Sequence, residues 1–126
     1  MKQRFSAVWK SSVQPRKQRK FRANAPLHLR HRMLAAHLSK DARRDYKRRS
    51  LPLKKNDEVK VTRGSFRGRT GKVSRVDYKR LKVFVDSVKQ KKVSGQEVEV
   101  ALDPSNLVIL KPNMDDPRRI RKKNKK

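Results

Sequence analysis

The sequence contains no cysteine. Disulfide frameworks and metal sites built on thiolates are therefore excluded. Hydrophobic residues make up only 33% of the chain, and no apolar run approaches the roughly 20 residues that a membrane-spanning helix needs. The N-terminus is basic but lacks the apolar run and the small-residue cleavage site of a secretory signal. We therefore expect a cytoplasmic protein without membrane insertion.

Positive charge is what the sequence has in excess. The 126 residues include 38 lysines and arginines against 11 acidic residues, a formal net charge of +27. A compact chain with this charge repels itself, so a polyanionic partner is needed to neutralise it. An anionic membrane surface would require a polybasic cluster beside an apolar anchor, whereas here the charge runs from end to end. Nucleic acid is the better partner, because each neutralised phosphate releases condensed counterions.

The charge divides the chain into three parts. Residues 1–50 carry a net charge of +14, residues 51–112 carry +8 and residues 113–126 carry +5. The middle part contains most of the valines, so the folded core is predicted there, between a basic N-terminal extension and a basic C-terminal tail with one helical turn from Asp116. Residues 1–22 are predicted to be disordered in the free protein, because they are too polar to bury a core.

The middle part shows the period-two alternation of half-buried strands. The residues predicted to face the core are Val59 and Val61, then Leu81, Val83 and Val85, then Val98, Val100 and Leu102. Two further runs, 71–76 and 107–110, bring the total to about five strands, with turn signals at 64–68, 77–80, 94–95 and 103–105. Five short strands predict a mainly β fold, a small closed barrel without open sheet edges.

The extension is predicted to contain one or two short helices. Ser11–Arg22 is polar and expected to be extended, and a helix could begin with Asn24 as its cap and Pro26 in its first turn. A thin stripe at helical spacing is formed by Leu27, Leu34 and Leu38. Ser39 is a good N-cap for a second helix, with Asp41 favourably placed in its first turn.

A glycine-bearing basic loop lies between two of the predicted strands, within the segment 57–76. Gly64, Gly68 and Gly71 follow one another at spacings of four and three residues, with arginines and a lysine between and beside them. Glycine permits positive φ and close approach of another backbone, while cations and amide groups together suit a phosphate backbone. The alternative is an ordinary hairpin with solvated charges.

This segment resembles the KOW motif, and the resemblance extends further. The stretches 15–33, 36–53 and 102–110 are similar to the archaeal and eukaryotic form of the KOW-containing large-subunit ribosomal protein family numbered twenty-four in the universal scheme. The resemblance implies a five-stranded SH3-like barrel, direct contact with large-subunit rRNA, a role in early subunit assembly and a place near the exit of the nascent-chain tunnel. Neighbouring ribosomal proteins and factors docking at the tunnel exit are the further partners implied.

The alternative function is that of a KOW-type transcription elongation factor or an RNA chaperone, since such factors carry the same motif. An elongation factor of this kind would normally carry another globular domain before the KOW segment. Residues 1–50 are too basic and too poor in apolar residues to form one.

The candidate rRNA contacts fall into four groups. Phosphate contacts are expected to dominate, so exposed cations and the glycine loop come first. The candidates are Arg16, Lys17, Arg19, Lys20 and Arg22 early in the extension; His28, Arg30 and Arg32 later in the extension; Arg63, Gly64, Ser65, Phe66, Arg67, Gly68, Arg69, Gly71 and Lys72 in the loop; and Lys91 and Lys92 before a later turn. The aromatic residues Phe5, Trp9, Phe21 and Phe66 either stack on unpaired bases or pack on protein.

No residues suggest catalysis or a metal site. The glycine loop is not a P-loop, which requires GxxxxGK[ST] before a helix, and no nucleophile arrangement is recognisable. His28, His31 and His37 are candidate metal ligands. Zinc usually takes four ligands, however, and Asp41 is the only acidic residue nearby. We therefore expect no cofactor and no enzymatic activity.

Overall fold

Residues 5–6 and 11–120 are described by a computed structural model, which places three α-helices and eight β-strands in this part of the chain. The helices are α1 (Pro15–Asn24), α2 (Leu27–Met33) and α3 (Lys40–Tyr46). The strands are β1 (Ala35–Leu38), β2 (Ser50–Pro52), β3 (Glu58–Val61), β4 (Thr70–Asp77), β5 (Lys82–Val85), β6 (Lys89–Lys91), β7 (Glu97–Glu99) and β8 (Leu107–Lys111), and a 3-10 turn covers Pro104–Asn106.

Six strands form one mixed sheet in the order β2-β1-β8-β3-β4-β5. The pairing of β1 with β8 is parallel, with His37 opposite Val108, and the other pairings are antiparallel. Strands β6 and β7 form a separate hairpin. The core lies against the six-stranded sheet and includes the fully buried Leu34, Leu38, Leu51, Leu53, Val59, Val61, Val73, Val83, Val85, Val88, Leu107 and Ile109.

The mainly β prediction is confirmed, but the closed five-stranded SH3-like barrel is not. The six-stranded sheet has two ends, β2 and β5, and does not close on itself in the described part of the chain. The leucine spacing assigns Ala35–Leu38 to a helical stripe, but this segment forms β1. Strand β1 pairs with one edge of β8, and β3 pairs with the other edge. The N-terminal segment thus extends the sheet, and Leu38 is buried in its core.

The alternation pattern predicts the buried faces well for two of its three runs. Val59 and Val61 are buried on β3, as are Val83 and Val85 on β5. The prediction is wrong for Val98, which is 39% exposed. This residue lies on the two-stranded hairpin, which has no second layer of its own to cover an apolar face.

The segment expected to be extended is helical from Pro15 onward. Pro15 stands in the first turn of α1, where its missing N–H costs nothing, and the arginines, lysines and glutamine that follow are good helix formers. Asn24 ends this helix instead of capping the next one, and α2 starts after Pro26 without a side-chain cap. The prediction of an extended segment comes from its high net charge. That charge does not lower the helix propensity of the individual residues, so a helix can still form.

The prediction for α3 is confirmed. The Ser39 hydroxyl accepts a hydrogen bond from the Ala42 N–H, and Asp41 lies in the first turn. The helix ends at Lys47 in the left-handed conformation, with φ of 52°. Three helices, not one or two, therefore precede β2.

A buried ion pair holds the C-terminal segment on the sheet. The carboxylate of Asp57 and the guanidinium of Arg119 form a bidentate pair, with both Nη–Oδ distances 2.5 Å and side-chain exposures of 0% and 2%. The same carboxylate accepts from the backbone N–H groups of Lys54 and Asn113 at 2.9 and 2.8 Å. The chain from Asp116 forms a hydrogen-bonded turn and not the predicted helical turn, with the Arg119 N–H donating to the Asp116 carbonyl.

Candidate nucleic-acid interface

Helix α1 presents a cationic surface with no buried residue. Its five predicted contacts, Arg16, Lys17, Arg19, Lys20 and Arg22, are all exposed. Helical spacing puts the first, third and fourth of these on one face, because residues three and four apart are neighbours on a helix. We call the five cations of α1 the cationic helix face. Such a row of unburied charge can neutralise several phosphates at once.

The remaining side of α1 carries the aromatic residue of the helix. Phe21 is half-buried and its ring lies 4.9 Å from that of Phe5, with the ring planes tilted by 42°. Phe21 thus contacts protein, through the ring of Phe5 in the preceding chain. Trp9 lies outside the described residues.

The β3–β4 connection is a closed loop built on two glycines. Gly64 and Gly68 have φ of +98° and +89°, a region that side chains with a Cβ rarely adopt. The Gly68 N–H donates to the Val61 carbonyl at 2.8 Å, and the Val61 N–H donates to the Arg69 carbonyl at 2.9 Å. This ladder fixes the loop as a rigid projection from the sheet. Arg63, Ser65 and Arg67 are exposed on it.

Two of the predicted loop contacts are engaged with protein. The Arg69 guanidinium lies 5.1 Å from the centre of the Phe66 ring and donates to the Ser87 carbonyl at 3.4 Å. Phe66 is half-buried and packs against the core, so the packing alternative describes it. Arg63, Arg67 and Lys72 are the loop cations with no side-chain hydrogen bond or ion pair within residues 5–6 and 11–120.

Gly71 serves packing and not loop conformation. Its φ is not positive, and an added Cβ would lie 2.5 Å from Asp86 Oδ1 and 2.8 Å from Val85 Cγ1. The neighbouring Lys72 donates its N–H to the same Asp86 carboxylate at 3.0 Å and leaves its side chain exposed. The third glycine of the motif thus lets β4 lie close to the end of β5.

We expect Gly71→Ala to destabilise the fold by about 1–3 kcal/mol, the usual cost of forcing an extra carbon into a packed site. Urea unfolding followed by circular dichroism measures this. Thr70→Ala, an exposed change on the same strand, is the matched control and should alter stability by about 0.5 kcal/mol at most. Equal stability of the two variants would contradict the packing role.

The three predicted contacts on helix α2 differ in exposure. His28 and Arg32 are exposed. Arg30 is half-buried and donates to three backbone carbonyls of the protein, so it lies against the chain itself. His31 stacks on Tyr78 at 3.8 Å between ring centres, a contact for which the sequence carries no signal.

The β6–β7 hairpin exposes Lys91 and Lys92, and it also carries the compensating acids. Lys91 stands opposite Glu97 and Lys89 opposite Glu99 in the strand register. Glu99 accepts a hydrogen bond from the Ser74 hydroxyl at 3.0 Å and lies 3.6 Å from the Arg75 guanidinium. The hairpin is thus less strongly cationic than α1 or the glycine loop.

Acidic side chains near the C-terminal segment are paired with cations. Lys54 lies 3.0 Å from Asp116, a solvent-exposed pair. The Arg118 N–H and the Lys54 ammonium, in that order, lower the pKa of Asp116 below its ordinary value. Within the described ranges no cluster of three or more histidine, aspartate and glutamate side chains could hold a metal ion, and no helix there has the length and apolarity to cross a bilayer.

Comparison with known proteins places the chain in a family. The sequence profile that describes the eukaryotic ribosomal proteins L26 and their archaeal L24 counterparts matches residues 12–126. The large ribosomal subunit protein uL24 of Methanosphaera stadtmanae is 45% identical over 115 residues, which cover 91% of this chain and 98% of that protein. The match covers the cationic helix face, the glycine loop and the buried ion pair alike. The chain therefore belongs to the family of eukaryotic L26 and archaeal L24 ribosomal proteins, which are structural components of the ribosome and not enzymes.

Proposed function

We propose that the chain is a structural constituent of the large ribosomal subunit and binds large-subunit rRNA directly. The observation that carries this is the presence of two separate exposed cationic surfaces, α1 and the glycine loop, on one folded unit. Four of the five cations on α1, namely Arg16, Arg19, Lys20 and Arg22, form no side-chain hydrogen bond or ion pair with the described residues. Their natural partners are phosphates.

The charge distribution suggests a separate role for each of the three segments. Residues 1–50 supply the main rRNA-binding extension, residues 51–112 the KOW unit that carries the glycine loop, and residues 113–126 a basic tail. The relative from Methanosphaera stadtmanae is named as a large-subunit protein, which supports the same assignment for this chain. The transcription-factor alternative gains no support, because the family match is ribosomal over nearly the whole chain.

Two finer roles complete the proposal. A protein that joins distant rRNA phosphates through two cationic surfaces is suited to early subunit assembly, when unneutralised RNA must be compacted. The resemblance to KOW-containing large-subunit proteins also supports a position near the exit of the nascent-chain tunnel, beside neighbouring ribosomal proteins and factors that dock there. Both roles are tested by depletion of the chain and analysis of the particles that accumulate.

Binding to a large-subunit rRNA transcript should depend steeply on salt, because phosphate contacts dominate. Arg67→Ala should lower the magnitude of the log K against log salt slope by about 1, as expected for loss of one phosphate contact. The fold should be unaffected, since the Arg67 side chain is exposed. Fluorescence anisotropy with labelled transcript, over a range of KCl concentrations, measures both quantities.

Lys60→Ala is the matched control for this variant. Lys60 is exposed on β3 at the foot of the same loop, and its replacement removes the same charge. A slope near zero for the unaltered protein would overturn the proposal of rRNA binding itself. Identical slopes for Arg67→Ala and the unaltered protein would remove only the glycine loop from the interface.

A further inference from the structure

The guanidinium of Arg30 joins two separate parts of the backbone through three carbonyls. Its Nε donates to the Ala25 carbonyl at 2.9 Å, and one Nη donates to the Ala23 carbonyl at 2.6 Å. The other Nη donates to the carbonyl of Lys79, in the turn between β4 and β5. Ala23 and Ala25 lie at the C-terminal end of α1, so a single side chain connects that helix end to the sheet.

The turn that receives Arg30 is rigidly built. The Asp77 carboxylate accepts the N–H groups of Lys79 and Arg80 at 3.0 and 3.2 Å. Leu81 follows with φ of 57°, a conformation that costs a non-glycine residue about 1–2 kcal/mol, and its side chain is buried in the core. The buried side chain holds the turn in this conformation, and the Lys79 carbonyl is thereby fixed in place.

A second contact joins the same two parts of the molecule. The ring of His31, the residue after Arg30, stacks on that of Tyr78 with centres 3.8 Å apart and planes 17° apart. The two contacts together bring α2 and the end of α1 onto the β4–β5 turn. We call this group, Arg30, His31, Tyr78 and the Lys79 carbonyl, the helix joint.

Helix α1 contributes no residue to the hydrophobic core. None of its residues is buried, so the core does not set its direction. Each of the three nitrogens of the Arg30 guanidinium donates to a carbonyl of the protein, so the group is held against the chain. Its position explains how an unburied helix can have a defined direction relative to the sheet.

We infer that Arg30 is a positioning residue for rRNA binding, and that the helix joint holds the cationic helix face in a fixed orientation to the glycine loop before RNA arrives. The inference rests on the proposed rRNA-binding function. It differs from the sequence-based prediction of disorder in the free protein for the part of residues 1–22 that α1 covers. A pre-oriented helix does not have to be ordered on binding, so affinity rises without any new RNA contact.

The orientation of α1 can be measured in the free, full-length protein. Since the chain has no cysteine, spin labels at Gln14→Cys and Ser50→Cys, both exposed, report the distance from the start of α1 to β2 by pulsed electron resonance. We expect one narrow distance distribution. Arg30→Ala should broaden it, and Arg30→Lys should not restore it, because one ammonium cannot reach three carbonyls as the planar guanidinium does.

Arg32→Ala is the matched control, since Arg32 is exposed on the same helix and the charge change is identical. It should leave the distribution narrow. His31→Ala should broaden the distribution partially and supplies a second variant if Arg30→Ala is unstable by circular dichroism. A broad distribution in the labelled but otherwise unaltered chain would overturn the inference directly.

The binding measurement separates positioning from direct contact. Arg30→Ala should weaken rRNA binding about tenfold, because the free energy of ordering α1 must then be spent on binding. The slope of log K against log salt should stay unchanged. Arg19→Ala should instead lower the slope by about 1, as a lost phosphate contact does. A slope change for Arg30→Ala equal to that of Arg19→Ala would show that Arg30 is itself a phosphate ligand. Failure of the unaltered protein to bind rRNA would refute the proposed function, while the distance distributions would still decide whether the joint exists.

Discussion

Replacement of Asp57 by asparagine should destabilise the folded protein by about 3–5 kcal/mol, the usual cost of breaking a buried ion pair on one side. The carboxylate receives four hydrogen bonds, two from the Arg119 guanidinium and one each from the Lys54 and Asn113 N–H groups. An asparagine amide would turn an NH2 group toward two of these donors and leave the Arg119 charge uncompensated. Urea unfolding of the full chain measures the difference.

Four further variants make the test specific to the buried pair. Asp116→Asn removes an equally charged side chain that is exposed and paired with Lys54, and it should have a far smaller effect. The double replacement Asp57→Leu with Arg119→Met should be less destabilised than the two single changes added together, because it leaves no unpaired charge. Additive effects, or an Asp57→Asn variant as stable as Asp116→Asn, would show that the C-terminal segment is held by other contacts.

Neutralisation of the cationic helix face should have the largest effect on RNA binding. Replacing its five cations by glutamine should lower the magnitude of the salt slope by up to about 4, since each phosphate contact contributes roughly 0.7–0.9. The affinity loss should be greatest at low millimolar salt, because the release of counterions from the RNA into a dilute salt solution is then most favourable. Glutamine keeps good helix propensity, so α1 itself should persist.

A second variant with the same change in net charge provides the control. It replaces by glutamine five cations that lie away from α1 and outside the glycine loop, namely Lys54, Lys60, Lys82, Lys89 and Arg118. The two variants carry equal net charge, so any difference between their rRNA affinities reflects position and not overall attraction. If both bind alike, the protein is a diffuse polycation without a defined interface. A small-subunit rRNA transcript, titrated in parallel, shows whether either variant has lost discrimination between RNAs.

Several features of the protein follow from short stretches of sequence. The valine alternation predicts β3 and β5 with the correct buried faces, because side-chain direction in a strand depends only on position parity. Ser39 and Asp41 predict the start of α3, since a helix cap is a contact between residues three apart. Gly64 and Gly68 predict a turn that needs positive φ, and both residues adopt it.

Other features have no local signal. The sequence at Ala35–Leu38 fits a helical stripe as readily as a strand, and only its pairing with β8 makes it β1. Asp57 and Arg119 are 62 residues apart, and nothing near either residue distinguishes it from the many charges beside it. The stack of His31 on Tyr78 also joins residues far apart in the sequence, although the turn at 77–80 is itself predicted.

The sequence alone determined the large excess of positive charge, because net charge is a sum over residues and does not depend on how they fold. It also determined the strands and turns whose geometry is set within a few neighbouring residues. The tertiary structure decided which cations are available to RNA. Arg19 and Arg30 look alike in the sequence, but Arg19 extends from an unburied helix, whereas Arg30 donates to two carbonyls at the end of α1 and to one in the β4–β5 turn. That distinction depends on long-range packing, because the Lys79 carbonyl meets the guanidinium only after the helices have docked on the sheet.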